Sequence, residues 1–69
     1  MQKWIDLLNS MAIDFTEHNN QYIEIYGYGL NTVKFELIIA SKCVKHSTWE
    51  AQGQEIYKMA DGTEITILL

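Results

Sequence analysis

The sequence predicts an α+β domain, with an N-terminal amphipathic helix packed on one face of an antiparallel sheet of about four to five strands. Three observations carry that expectation. Trp4, Leu7, Leu8, Met11, Ala12 and Phe15 recur at the spacing of one helical face. The run Tyr22-Ile23-Glu24-Ile25-Tyr26-Gly27-Tyr28 alternates strictly between aliphatic and other side chains, the pattern of a half-buried strand. Apolar alternation then returns twice in the second half of the chain, each time bounded by turn residues.

The helix covers Lys3 to Met11, with Lys3, Asp6, Asn9, Ser10 and Asp14 turned away from the apolar stripe. Two readings of its end stand side by side. It runs to Glu17 and stops at Asn19-Asn20, where asparagine takes the left-handed cap. Alternatively it ends near Ala12, and residues 13–17 form a short strand. A loop of His18, Asn19 and Asn20 would then set Phe15 opposite Ile23 and Ile13 opposite Ile25, with all four facing the core. This hairpin is the preferred reading.

In the strand that follows, Ile23 and Ile25 share one face, and Tyr22, Glu24, Tyr26 and Tyr28 share the other. Gly27, Gly29 and Asn31 mark a turn. Val33, Phe35, Leu37 and Ile39 line one face of a second strand, with Lys34, Glu36 and Ile38 on its opposite face. After a polar segment from Ser41 to Ser47, a third strand opens at Thr48-Trp49-Glu50-Ala51, is broken or bulged around Gly53, and continues over Glu55 to Met59. Ala60-Asp61-Gly62 reads as a hairpin loop with Gly62 left-handed. That loop sets Tyr57 opposite Ile65, Met59 opposite Thr63 and Lys58 opposite Glu64. A shorter Asp61-Gly62 turn would put Lys58 against Ile65 and forfeit the charge pair. The segment Ile65-Thr66-Ile67-Leu68-Leu69 is so apolar that it belongs at the centre of the sheet, or pairs at an edge with a neighbour.

A chain of 69 residues holds one domain, residues 1–69. It buries roughly 60% of its unfolded surface, and its core supplies roughly 3–5 kcal/mol. The single cysteine, Cys43, precludes an internal disulfide, and no set of four zinc ligands stands in a familiar spacing, which leaves self-association as the available supplement. Nine acids face five lysines and no arginine, for a net charge of −4. Such a balance disfavours nucleic acid and anionic membranes as partners. The lone thiol points to a reducing, cytoplasmic setting. The start Met1-Gln2-Lys3-Trp4-Ile5-Asp6 is interrupted by charge, so it reads as neither a signal peptide nor a membrane span, and a chain beginning at Met1 reads as a complete small gene product.

Few residues offer chemistry. Cys43 and His46 have the spacing of two metal ligands, and His18 makes a third candidate, but positions three apart on a strand point to opposite faces. The same pair as a nucleophile and base would need an orienting group and a substrate pocket. A small thiol-dependent enzyme or metal-binding factor around Cys43 and His46 is the alternative reading. Glu24, Glu36 and Glu64 share a face with Lys34 and Lys58, which suits cross-strand ion pairing better than an acid/base dyad. Gly27-Tyr28-Gly29 lacks the lysine, hydroxyl and following helix of a phosphate loop, and Asp61-Gly62 lacks the alternating ligands of a calcium loop. No catalytic, cofactor or metal residue is therefore assigned. Trp4 and Trp49 read as core or rim packing.

What remains is the tyrosine face. Tyr22, Glu24, Tyr26 and Tyr28, joined there by Ile38, Ile56 and Leu68, make an apolar patch larger than isolated surface residues explain. Platforms for single-stranded nucleic acid also use sheet aromatics, but set them in a basic groove, whereas this face contributes glutamates. The expected function is a non-enzymatic protein-interaction domain, homodimeric, binding a partner protein through this face. A small acidic regulator or inhibitor of the phage or mobile-element accessory type fits that description.

Overall fold

The computed structural model of the chain describes residues 1–68, so Leu69, the last residue of the expected terminal strand, lies outside the described residues. The chain folds in the order α1 (Gln2–Ser10), β1 (Thr16–His18), β2 (Tyr22–Tyr26), α2 (Leu30–Lys42), β3 (Lys45–Trp49), a 3-10 turn (Glu50–Gln52), β4 (Gln54–Lys58) and β5 (Glu64–Leu68). The α+β class stands, and the apolar terminal strand β5 takes the centre of a five-stranded sheet of order β1-β2-β5-β4-β3. The sheet is mixed, which corrects the expected antiparallel arrangement. β2 and β5 run parallel, while β1–β2, β4–β5 and β3–β4 are antiparallel. A parallel pair needs a long crossover. Here α2 and the β3–β4 ribbon supply it.

The largest correction concerns residues 30–42. The expected strand through Val33, Phe35, Leu37 and Ile39 is helix α2, so Ile38 lies on a helix and not on the sheet. Thr32, Phe35 and Ile39 are its buried positions, at the spacing of a helical face, while Val33 and Leu37 point outward. Apolar side chains lie all around this helix, so alternation and helical periodicity were both readable from the same letters. Lys34 and Glu36 move onto the helix with it.

Three local corrections follow. The β1–β2 hairpin forms, but His18 pairs with Tyr22, so the loop is Asn19-Asn20-Gln21, one residue later than expected. Asn19 and Asn20 both take positive φ, at 52° and 58°, and the Gln21 N–H donates to the His18 carbonyl at 2.8 Å. Asparagine tolerates that conformation, so both asparagines can sit inside the turn. The expected third strand is two strands. The 3-10 turn and Gly53, at φ 63°, fold Lys45–Trp49 back onto Gln54–Lys58 as a hairpin, where a break or bulge within one strand was expected. Helix α1 ends at Ser10, and Ile13 reaches the core from the connecting segment after Ala12 turns at φ 56°.

The β4–β5 hairpin follows the sequence in detail. Tyr57 pairs with Ile65 and Lys58 with Glu64, the Met59 N–H donates to the Thr63 carbonyl at 2.8 Å, and Gly62 has φ 90°. The core gathers Trp4 and Leu8 of α1, Phe35 and Ile39 of α2, and Ile23, Ile25, Ile65, Ile67 and Tyr57 of the sheet. Those sheet residues occupy a single face. Both helices therefore pack on that face, and among the described residues no helix packs on the opposite face.

Candidate functional site

The uncovered face can be read strand by strand from the pairing. One cross-strand row holds His18, Tyr22, Glu64, Lys58 and Lys45; the next holds Thr16, Glu24, Thr66, Ile56 and Ser47; the last holds Tyr26, Leu68, Gln54 and Trp49. Of the expected interaction residues, the structure brings Tyr22, Glu24, Tyr26, Ile56 and Leu68 together here. Tyr28 and Ile38 are not among them. Gly27 turns the chain at φ 77°, and Tyr28, beyond the end of β2, stands on the helix side near Glu36 and Glu55. Ile38 is half-buried on α2.

The centre of this face is packed and its rim is open. Thr66 is buried, with Tyr22, Glu24, Ile56, Gln54 and Leu68 half-buried around it. Tyr26 and Trp49 are 66% and 54% exposed at opposite ends of the last row. Three strand spacings separate them, about 14 Å. Trp49 was expected as packing. Its place on this face depends on the turn at Glu50–Gly53, which the sequence alone reads as a broken or bulged strand.

Polar contacts fix the aromatic side chains. The Tyr26 hydroxyl donates to Glu24 Oε1 at 3.1 Å, and this hydrogen bond is the main cause that holds its phenol pKa above the usual value. His18 forms an ion pair with the same Glu24 when protonated, and its ring stacks on Tyr22 with centroids 4.5 Å apart. Glu24 thus joins β1 and β2 across the face. Lys58 stands between Glu64 on β5 and Lys45 on β3.

The helix side of the β3–β4 ribbon carries a second polar group. Thr48 donates to Glu55 Oε2 at 2.6 Å, His46 Nε2 lies 3.2 Å from the same oxygen, and the Tyr57 hydroxyl donates to Glu36 Oε2 at 2.7 Å. The rings of His46 and Tyr57 stack at 4.3 Å. The Thr48 hydrogen bond, then His46, hold the Glu55 carboxyl below its usual pKa. Burial, then the carboxylates of Glu36 and Glu55, raise the phenol of Tyr28. Tyr28, Thr48, Glu50, Gly53, Gln54 and Glu55 line a cavity of about 380 Å³ beside this group.

Cys43 and His46 are not joined by this arrangement. The Cys43 thiol donates to the Ala40 carbonyl at 3.6 Å in the last turn of α2, while His46 is engaged by Glu55 and Tyr57. Among the described residues, no group of three or more histidine, cysteine or acidic side chains is placed to hold a metal ion. No helix among them is long and apolar enough to cross a membrane. Gly27-Tyr28-Gly29 does lead into a helix, contrary to expectation, but the loop still lacks the lysine and hydroxyl of a phosphate loop.

The outer side of α2 is apolar as well: Leu30 and Leu37 are 72% and 69% exposed, with Val33 between them. No family model matches this chain, and no curated protein or solved structure matches it either.

Proposed function

We propose that this chain is a protein-binding domain that occupies a partner protein's surface with its open sheet face and catalyses no reaction. One observation carries the reading. Tyr26 and Trp49, both largely exposed, bracket Leu68 and Gln54 in a single cross-strand row. Aromatic side chains bury large area with little rotamer freedom to lose, and they are enriched where interfaces concentrate their binding energy. The Tyr26 ring is already oriented by Glu24, which lowers the ordering cost of association. Glu24 and Glu64 share the face with Lys58 and Lys45, so its own charge is balanced, while the net charge of −4 overall disfavours an acidic partner surface. Such a domain acts as a small regulator or inhibitor by blocking that surface.

The test is affinity capture from extracts of the source cells with the wild-type chain and with the Tyr26→Ala/Trp49→Ala double variant. Wild type retains a defined protein, and the double variant loses it with an unchanged melting curve. Equal capture by both chains, or by neither, sinks the reading.

A further inference from the structure

The two edges of the sheet are unlike. β1 offers only Thr16–His18, whereas β3 offers Lys45–Trp49, five residues that are all exposed and paired with β4 in unbroken register. No proline or bulge interrupts β3, and its only charge is Lys45 at its first position. Its outward N–H and C=O groups are thus a template for another strand, with little to block one.

We propose that β3 pairs antiparallel with β3 of a second copy, across a twofold axis that passes through Ser47 and makes one ten-stranded sheet. This inference concerns the edge of the sheet rather than its open face, although Trp49 and Lys45 belong to both. A twofold axis perpendicular to the sheet keeps open face beside open face and helix side beside helix side. Ser47 then meets Ser47 of the second copy, Lys45 meets Trp49, and His46 meets Thr48. A slip of one residue would set the open face against the helix side. A slip of two would cut the ladder from five pairs to three.

The side chains fit this register. Within one chain Lys45 faces Lys58, a like charge, across the strands. In the pair it gains the indole face of Trp49, which is 54% exposed and attracts a cation. Charge is complementary along the strand too. Lys42 and Lys45 stand at and before the start of β3, and Glu50 follows its end. Antiparallel pairing brings opposite signs together at both ends of the ladder.

A residue on the axis faces its own copy, so Ser47 gives a test specific to this register. Ser47 is exposed, and Ser47→Lys and Ser47→Glu should leave the monomer fold intact, as a circular-dichroism melt would verify. Light scattering over a micromolar to millimolar series should find wild type dimeric. Each single variant should dissociate with a constant raised about fivefold or more by like charges placed face to face. An equimolar mixture of the two variants should recover a one-to-one heterodimer. A wild-type chain that stays monomeric overturns the proposal. So does a dimer indifferent to both substitutions, which would place the contact elsewhere, the apolar outer side of α2 first, or a mixture that fails to re-associate.

Discussion

The Tyr57 hydroxyl donates to Glu36 Oε2 at 2.7 Å and so ties the inner edge of the β3–β4 ribbon to α2. This contact crosses the border between the apolar core and the polar group of His46, Thr48 and Glu55. Tyr57 buries its ring against Ile65 and its neighbours in the core, while its hydroxyl reaches a half-buried carboxylate. One side chain thus serves both packing and polar satisfaction.

Removing the hydroxyl leaves the Glu36 carboxylate without this donor. Tyr57→Phe should lower stability by about 1–2 kcal/mol, and Glu36→Gln, which keeps an acceptor, by less. Burial, then the Glu36 hydrogen bond, raises the phenol pKa of Tyr57 in the folded chain. A raised pKa means that the native state holds the proton more tightly. The contribution is therefore complete below the unfolded value of about 10 and is lost as the pH rises beyond it. Urea midpoints measured against pH should show a constant gap between wild type and Tyr57→Phe at neutral pH, closing above pH ~10. A gap that persists unchanged into alkali would show that the hydrogen bond is not its source.

The β4–β5 hairpin was legible because its determinants are local: Gly62 chooses the loop, and the loop chooses the register that pairs Lys58 with Glu64. The tyrosine face was legible as far as strand alternation reaches, which places Tyr22, Glu24 and Tyr26 correctly and fails at Gly27. Ile56 and Leu68 follow from the same alternation on β4 and β5. The parallel pairing of β2 with β5 joins segments about forty residues apart and leaves no local pattern to read. Helix α2 was missed because Val33, Phe35, Leu37 and Ile39 satisfy a period of two, while burial obeys the helical spacing of Thr32, Phe35 and Ile39. An exposed apolar side on that helix removed the contrast that normally announces an amphipathic helix.

That difference in period has a mutational consequence. On a strand, Phe35 and Leu37 would be buried alike; on α2, Phe35 is fully buried and Leu37 is 69% exposed. Phe35→Ala should cost about 3–5 kcal/mol, comparable with the whole stability expected of a domain this small. Leu37→Ala should stay within about 0.5 kcal/mol of wild type. Thermal melts followed by circular dichroism distinguish the cases. Equal losses from the two substitutions would contradict the helical assignment.

Acid should weaken the β4–β5 hairpin in a defined window. The Thr63 N–H donates to Asp61 Oδ1 at 2.9 Å, and hydrogen bonds from Thr63 hold the Asp61 carboxyl at about 2, against an ordinary value of 3.8. A depressed pKa gives stability that is present above the unfolded value and lost as the pH falls from 3.8 towards about 2. The Asp61 side chain is 41% exposed. Solvent screening therefore reduces the contribution to roughly 1 kcal/mol. Asp61→Asn should be less stable than wild type by that amount at neutral pH and should converge with it in strong acid. Parallel pH titrations of the two unfolding midpoints would reveal this, and a gap independent of pH would assign the loss to something other than the carboxylate.

Two glycines should respond to substitution with opposite signs. Gly62 turns at φ 90°, where a side chain is strained even though nothing lies within 4 Å of an added Cβ. Gly62→Ala should therefore cost about 1 kcal/mol or more. Gly29 caps α2 with extended backbone at φ −97°, makes no side-chain cap, and has equally open space around it. Gly29→Ser supplies a hydroxyl to the free N–H groups of the first turn and narrows the unfolded ensemble. It should raise stability by a few tenths to about 1 kcal/mol. The check is a pair of urea titrations at one pH. A Gly29→Ser chain less stable than wild type would mean that α2 does not begin where its backbone places the cap.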